Sequence, residues 1–196
     1  MRRLTVIFAL GALVALTTAA AAATYDIDKS HSSVGFKVRH LGVSNVRGFF
    51  GDFAGAFEFD TADPGAWRTE AAIQIASVDT GDPKRDEHLR TPDFFDAVGH
   101  PTMVFKSTSV TKASDGAYKL AGDLTLRGVT RSVQLDLELL GTATDPWGND
   151  RAGFSATGRI NRQDFGVNWS TTLDAGGLVV GNEVTIMIEV EGILRK

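Results

Sequence analysis

The chain contains no cysteine. That excludes a disulfide framework, a lipid-bearing lipoprotein cysteine, a thiol nucleophile and a thiolate zinc site. Basic runs of the kind that bind nucleic acid are missing as well. Its four histidines, His31, His40, His88 and His100, lack the His-x-x-x-His spacing of a helical metal site. No serine stands in a Gly-x-Ser-x-Gly context, and no glycine-rich phosphate loop precedes a helix. Gly176-Gly177 reads as a turn between strands. Neither a metal nor a cofactor is expected, and internal repeats and low-complexity tracts are absent.

What is present begins with a leader. Arg2 and Arg3 precede an uncharged apolar run from Leu4 to Leu16, and an alanine-rich stretch ends in Ala21 and Ala23. This is the pattern of a secretory signal peptide, and the run is too short for an ordinary spanning helix. Cleavage is expected near Ala23–Thr24, giving a leader over 1–23, one domain over 24–196 and an exported, periplasmic protein that spans no membrane. The 173 residues left after that cut suffice for one domain with a sizeable core. Losing Arg2 and Arg3 takes the formal charge from −4 to −6. An acidic chain argues against nucleic acid as partner, and against an anionic membrane surface held by charge.

Nearly everything after the leader alternates with period two, as strands do. Val34, Phe36, Val38 and His40 share a face; so do Ile73, Ile75 and Ser77, and Met103, Phe105 and Ser107. Tyr118, Leu120, Leu124 and Leu126 follow, then Val133, Leu135, Leu137 and Leu139, then Phe154, Ala156 and Ile160, then Val184, Ile186, Ile188 and Val190. The segment 49–59 puts Phe49, Phe53, Phe57 and Phe59 on one parity with Gly51 and Gly55 between them. About eight strands with one dry face and short turns predict an all-β fold: an extended eight-stranded antiparallel barrel, with a two-sheet sandwich as competitor. Charges such as Asp136, Glu138, Glu189 and Glu191 on the polar face exclude a lipid-facing outer-membrane barrel.

The exception is a helical insertion. Asp82-Pro83 and Thr91-Pro92 place a capping residue before proline, predicting short helices over 83–90 and 92–97. Leu89, Phe94 and Phe95 would give them an apolar surface on the barrel mouth. A barrel of this size is either filled by side chains or holds one ligand, and the pattern is compatible with both. Inward glycines Gly51, Gly55, Gly122 and Gly158 would leave space, or mark sharp bends. Parity assigns Phe36, Val38, Phe49, Phe53, Phe57, Ile75, Phe105, Leu124, Leu135, Leu137, Phe154, Ile186 and Ile188 to the lumen. It sets His40, Arg47, Asp79 and Arg131 near strand ends, as rim residues or as holders of a ligand's head group. Lys84, Arg85, His88 and Arg90 add cations on the first short helix, though Asp86 and Glu87 make a solvated face the plainer reading.

Several blocks resemble the YceI-like family. They are Tyr25-Asp26-Ile27-Asp28-Lys29-Ser30-His31-Ser32 continuing to Val38-Arg39-His40-Leu41-Gly42, then Val46-Arg47-Gly48-Phe49-Phe50, Arg85-Asp86-Glu87-His88-Leu89-Arg90, Asp93-Phe94-Phe95-Asp96, Gly122-Asp123-Leu124-Thr125-Leu126-Arg127-Gly128, and Asn161-Arg162-Gln163-Asp164-Phe165-Gly166. Their order spans the chain after the leader. The resemblance implies a lipocalin-like barrel, exported to the periplasm, that holds a polyisoprenoid or other long amphiphilic lipid. It also implies association with quinones or stress responses in some members, and homodimers as a common state. Two other readings compete. One is an interaction module in which an exposed Phe94–Phe95 patch docks a membrane electron-transport partner. The other is an enzyme with His40 and Asp79 as an acid–base pair, which requires the two to lie within hydrogen-bond reach.

Overall fold

A computed structural model describes residues 22–172 and 176–196, so residues 1–21 of the expected leader lie outside it. The alternating segments form eleven strands: β1 Ala23–Ile27, β2 Ser33–His40, β3 Ser44–Phe50, β4 Phe53–Phe59, β5 Arg68–Gln74, β6 Val78–Asp79, β7 Thr102–Ser114, β8 Ala117–Leu126, β9 Val129–Thr144, β10 Asp150–Asn161 and β11 Val180–Leu194. Three of the eleven arise from interruptions. The pairs β1/β2, β3/β4 and β5/β6 are each one stave broken in the middle, which leaves eight staves. Every pairing is antiparallel, and β11 returns to β1 and β2, so the meander closes into a barrel. Closure pairs the edges that an open sheet would expose. The barrel is the expected fold, and the sandwich is excluded.

Turn chemistry sets the hairpins. Between β8 and β9, Arg127 and Gly128 both take positive φ, 51° and 72°, the two-residue geometry that matches strand twist. Within the β3/β4 stave, Gly51 and Asp52 break the ladder: Gly51 N donates to Ser77 O and Asp52 O accepts from Gln74 N. Phe50 pairs with Val78 and Phe53 with Ile73, so three residues span what five span opposite. That mismatch resets the facing of β3 relative to β4.

The insertion holds one helix, α1 Pro83–Arg90. Asp82 caps it, accepting from Lys84 N at 3.0 Å and Arg85 N at 3.1 Å. The second helix expected over 92–97 is a run of turns. Phe95 N donates to Leu89 O and Ala97 N to Arg90 O, so these groups finish α1 instead of starting a new helix. Thr91 turns its hydroxyl back to His88 O, and Asp96 adopts a φ of 52°. The Arg127 guanidinium then ties the segment down, donating to Pro92 O at 2.7 Å and to Phe94 O.

The two barrel ends differ. At one end Tyr25, Phe57, Phe59, Trp67, Tyr118 and Phe154 stack into a plug, with ring centroids 4.6–6.0 Å apart. Trp67 Nε1 donates to Asp60 O at 2.6 Å, which satisfies the plug's buried indole. The other end is roofed by α1, the turns after it and the segment following Asn161.

Candidate ligand site

Between plug and roof the barrel holds a partly open cavity of about 240 Å³ whose wall is almost wholly hydrocarbon and aromatic. Phe36, Val38, Phe53, Phe57, Phe105, Leu124, Leu135, Leu137, Phe154, Ile186 and Ile188 line it, as the alternation predicts. Phe50, Met103, Val133, Val184 and Val190 complete the staves, and Leu89, Phe94 and Phe95 form the roof. Such a space takes an apolar chain and offers it dispersion contact rather than directed bonds.

Arg162 is the one buried cation on this wall, 4% exposed. It begins the turn Arg162–Phe165, where Asn161 caps by accepting from Gln163 N and Gly166 terminates at φ 75°. Its guanidinium donates to Val167 O and Trp169 O through Nη1, to Gly181 O through Nε, and to Val180 O and Asn182 Oδ1 through Nη2. Burial pulls its pKa below the usual arginine range, and no carboxylate pairs with it among the described residues. It therefore holds the roof segment onto β11 and keeps no donor for a ligand. The segment delivers Trp169, whose ring lies 5.2 Å from Phe94 and 5.4 Å from His88.

Above this roof lies a second chamber of about 190 Å³. Phe36, Val38, Leu89, Phe94 and Val180 border both spaces, and Arg39, His40, Arg85, His88 and Trp169 belong to the outer one.

The YceI-like domain model matches residues 25–192. The chain belongs to the YceI-like family. It is 42% identical over 191 residues to protein YceI of Salmonella arizonae, covering 96% of each chain. The Campylobacter jejuni YceI structure superposes with a TM-score of 0.71 at 36% identity, over 86% of this chain and 96% of that one. A polyisoprenoid-binding domain of Saccharophagus degradans shares the fold, with a TM-score of 0.62 at 16% identity, over 87% and 98% of the two chains.

Within this family frame, two expected lumen residues are displaced. Phe49 points outward and is 48% exposed, because the Gly51–Asp52 bend resets parity and makes Phe50 the inward residue. Its ring lies over Gly35, its partner across β2 and β3. Ile75 is fully buried but sits in the turn Ile75–Ser77, packed behind the wall rather than on it.

The expected polar rim separates in the same way. His40 keeps its inward parity and lines the outer chamber. Arg47 pairs with Lys37 and Asp79 with Phe49, so both stand on the outer face. Arg131 shares the facing of Leu124 but is exposed, and its guanidinium folds back to Thr130 O at 3.3 Å. His40 lies opposite Ser44 and Asp79 opposite Phe49, five residues along β3, a span of about 16 Å at strand rise. Asp79 accepts instead from Gly81 N. The acid–base pairing of His40 with Asp79 is not formed.

Three charges of α1, Arg85, Asp86 and Arg90, are structural, while Lys84 and Glu87 stay exposed. Asp86 is buried and accepts from Thr80 N and Oγ1, Arg85 donates to Thr80 Oγ1 and O, and Arg90 donates to Ala76 O and Val78 O. These bonds clamp one side of α1 to the β6 end of the barrel, which corrects the expectation of a solvated face for Arg85, Asp86 and Arg90 and leaves it standing for Lys84 and Glu87. Asp28, His31 and Glu191 also converge closely enough to suggest a metal site. Arg151 occupies that position, bonding Asp28 at 2.8 Å, Asp145 at 2.8 Å and Glu191, so the cluster already has its cation. Among the described residues no helix is long and apolar enough to cross a membrane.

Proposed function

We propose that this protein is an exported carrier or store for one long apolar chain, of the isoprenoid or a related amphiphilic lipid class, held in the barrel lumen. The observation that carries this reading is the hydrocarbon-walled cavity between the aromatic plug and the roof. Each buried methylene would contribute about 0.8 kcal/mol before ordering costs, so a chain of modest length binds without any directed contact. Sharing its fold with a domain described as polyisoprenoid-binding supports the ligand class. The leader pattern over 1–23 supports export to the periplasm. Phe94 and Phe95 face the cavity, which counts against a docking patch made from them. The separation of His40 from Asp79 counts against the enzymatic alternative.

Phe53 and Phe49 make a matched pair for testing it. They lie on one stave, Phe53 on the lumen wall and Phe49 outside. Native mass spectrometry of gently purified protein is expected to show a retained lipid in the parent and in Phe49→Asp, and none in Phe53→Asp, with circular dichroism confirming that each is folded. Absence of lipid from the parent, or its retention by folded Phe53→Asp, would contradict the proposal.

A further inference from the structure

We infer that the β2–β3 hairpin docks the barrel onto the surface of an anionic lipid bilayer. The docking surface is read from its own residues, and its use in loading the lumen rests on the lumenal lipid reading above. Net acidity conceals a local excess of the opposite sign. Residues 29–51 carry Lys29, Lys37, Arg39 and Arg47 and no Asp or Glu, in a chain whose acids outnumber Lys and Arg 24 to 20. Lys37 and Arg47 stand directly opposite each other on the outer face, and Arg39 lies two residues nearer the turn on the same side. Like charges in cross-strand register repel. The side chains of Lys37, Arg39 and Arg47 have no hydrogen-bond or ion-pair partner among the described residues. Glu183, the acid at this level of β11, lies 3.7 Å from Arg159 and is engaged there. An extended anionic surface supplies the counter-charge that the fold does not.

The tip of the hairpin selects a bilayer over an acidic protein. Leu41, Gly42 and Val43 form the turn, closed by Val43 N donating to His40 O, and Leu41 and Val43 are 38% and 81% exposed. Turns ordinarily take glycine or short polar residues. Leu41 moreover sits at a φ of 52°, where asparagine or glycine fits and a bulky aliphatic is rare. The backbone of the turn thus gives no reason for leucine. Apolar tip and cations are also ordered by depth. Arg39 stands about 7 Å behind Leu41 along β2 and Lys37 about 13 Å, at strand rise. An apolar end at the acyl boundary with cations at the level of the phosphates matches the layering of a bilayer, which an acidic protein face lacks. Trp147, equally exposed, has different company: it lies on the β9–β10 turn at the plug end, between Asp145 and Asp150. The docking hairpin instead adjoins the way into the lumen. Its Arg39, His40 and Val46 line the outer chamber, and Phe36 and Val38 of β2 border both chambers.

The test is co-sedimentation of full-length mature protein with vesicles of phosphatidylcholine mixed with phosphatidylglycerol, and with vesicles of phosphatidylcholine alone. The parent is expected to bind the anionic vesicles at least about tenfold more tightly, and to leave them as salt is raised. Leu41→Asn/Val43→Ser should weaken that binding at least about tenfold, and so should Lys37→Gln/Arg47→Gln. Asparagine suits the φ of Leu41, so the first variant should keep the parent's circular dichroism and melting temperature. Trp147→Ser should bind as the parent does, since exposure alone gives no docking. Equal binding of the parent to both kinds of vesicle, or parent-like binding by either hairpin variant, would overturn the proposal. Self-association of the parent that Leu41→Asn/Val43→Ser abolishes, with no binding to vesicles, would assign the surface to a second copy of the chain and overturn it too. Failure to dock by a parent that still retains lipid in native mass spectra would leave the lumenal reading standing. Docking by a parent that retains no lipid would remove the lumenal reading and leave the bilayer surface in place.

Discussion

At Gly55 an added Cβ would lie 2.5 Å from the carbonyl oxygen of Glu70 and 2.9 Å from the Cα of Ala71. Both atoms belong to the β5 backbone, which cannot yield as a side-chain tip would. At Gly51 the nearest atom is Ser77 O, at 3.9 Å. Neither position has the positive φ that would itself demand glycine. Gly55→Ala should therefore cost about 1–3 kcal/mol through overpacking, and Gly51→Ala less than about 0.5 kcal/mol. Urea unfolding midpoints would decide it, and equal midpoints would show that close approach is not why Gly55 is glycine. The same geometry corrects the idea that inward glycines leave room for a ligand. A Cβ on Gly122 would meet the Phe105 ring and Lys106 O, and one on Gly158 the Leu135 side chain and Gln134 O. Those glycines admit the neighbouring Phe105 and Leu135, which then form the cavity wall. Sequence parity therefore finds the wall residues but not the reason for the gaps between them. It also fails for Phe49 and Ile75, each beside a bend where one extra residue reverses the facing of the next stretch of chain.

The elements most legible in the sequence are the uninterrupted ones. Inward residues on β8 through β11 follow from alternation along most of their lengths, interrupted by the register shift at Gly153/Phe154 and by the irregularity between Val180 and Val184 at the start of β11. The roof is less legible, because the turns after α1 and the Arg162 segment are held by hydrogen bonds to distant carbonyls, which leave no period in the sequence. Another such junction ties three connections at the barrel's edge. Arg151 on β10 reaches Asp28 after β1, Asp145 in the β9–β10 hairpin and Glu191 on β11. The hydroxyl of Ser30, then His31 and Arg151, hold the Asp28 carboxyl well below its usual range. For Asp145 the Asn149 backbone N–H is the largest cause, opposed by desolvation and reinforced by Arg151. A carboxylate depressed in the folded state stabilises the fold fully above its unfolded value of about 3.9, and loses that contribution as pH falls through the lower folded value. Stability should thus decline below about pH 5, and Asp28→Asn should make that acid limb shallower while keeping part of the geometry. Unfolding midpoints at intervals from pH 7 to pH 3 give the two slopes; parallel slopes would show that Asp28 contributes no such linkage.

Taken whole, the molecule is a closed barrel whose interior does not fill itself, and that places a thermodynamic demand on it. Empty apolar volume forfeits dispersion contacts that a packed core would have. A bound chain restores them and stabilises only the folded state, by about 2.7 kcal/mol when free ligand stands at a hundred times its dissociation constant. Extraction of the lipid should therefore lower the melting temperature, and re-addition should recover it. Val133 offers a test of the cavity itself. It lies on the lumen wall opposite Gly122, is not fully buried, and packs against the apolar cluster at the roofed end. In a packed core Val133→Trp would be severely overpacked and cost about 1–3 kcal/mol or more. In an open lumen the indole enters existing space, so the delipidated variant should melt no lower than the delipidated parent. The same ring then occupies the ligand's volume, and added lipid should no longer raise the melting temperature. Calorimetric scans of both proteins, with and without lipid, give four temperatures. A variant that melts far below the delipidated parent would mean the lumen is packed, and one that still gains stability from lipid would place the ligand elsewhere.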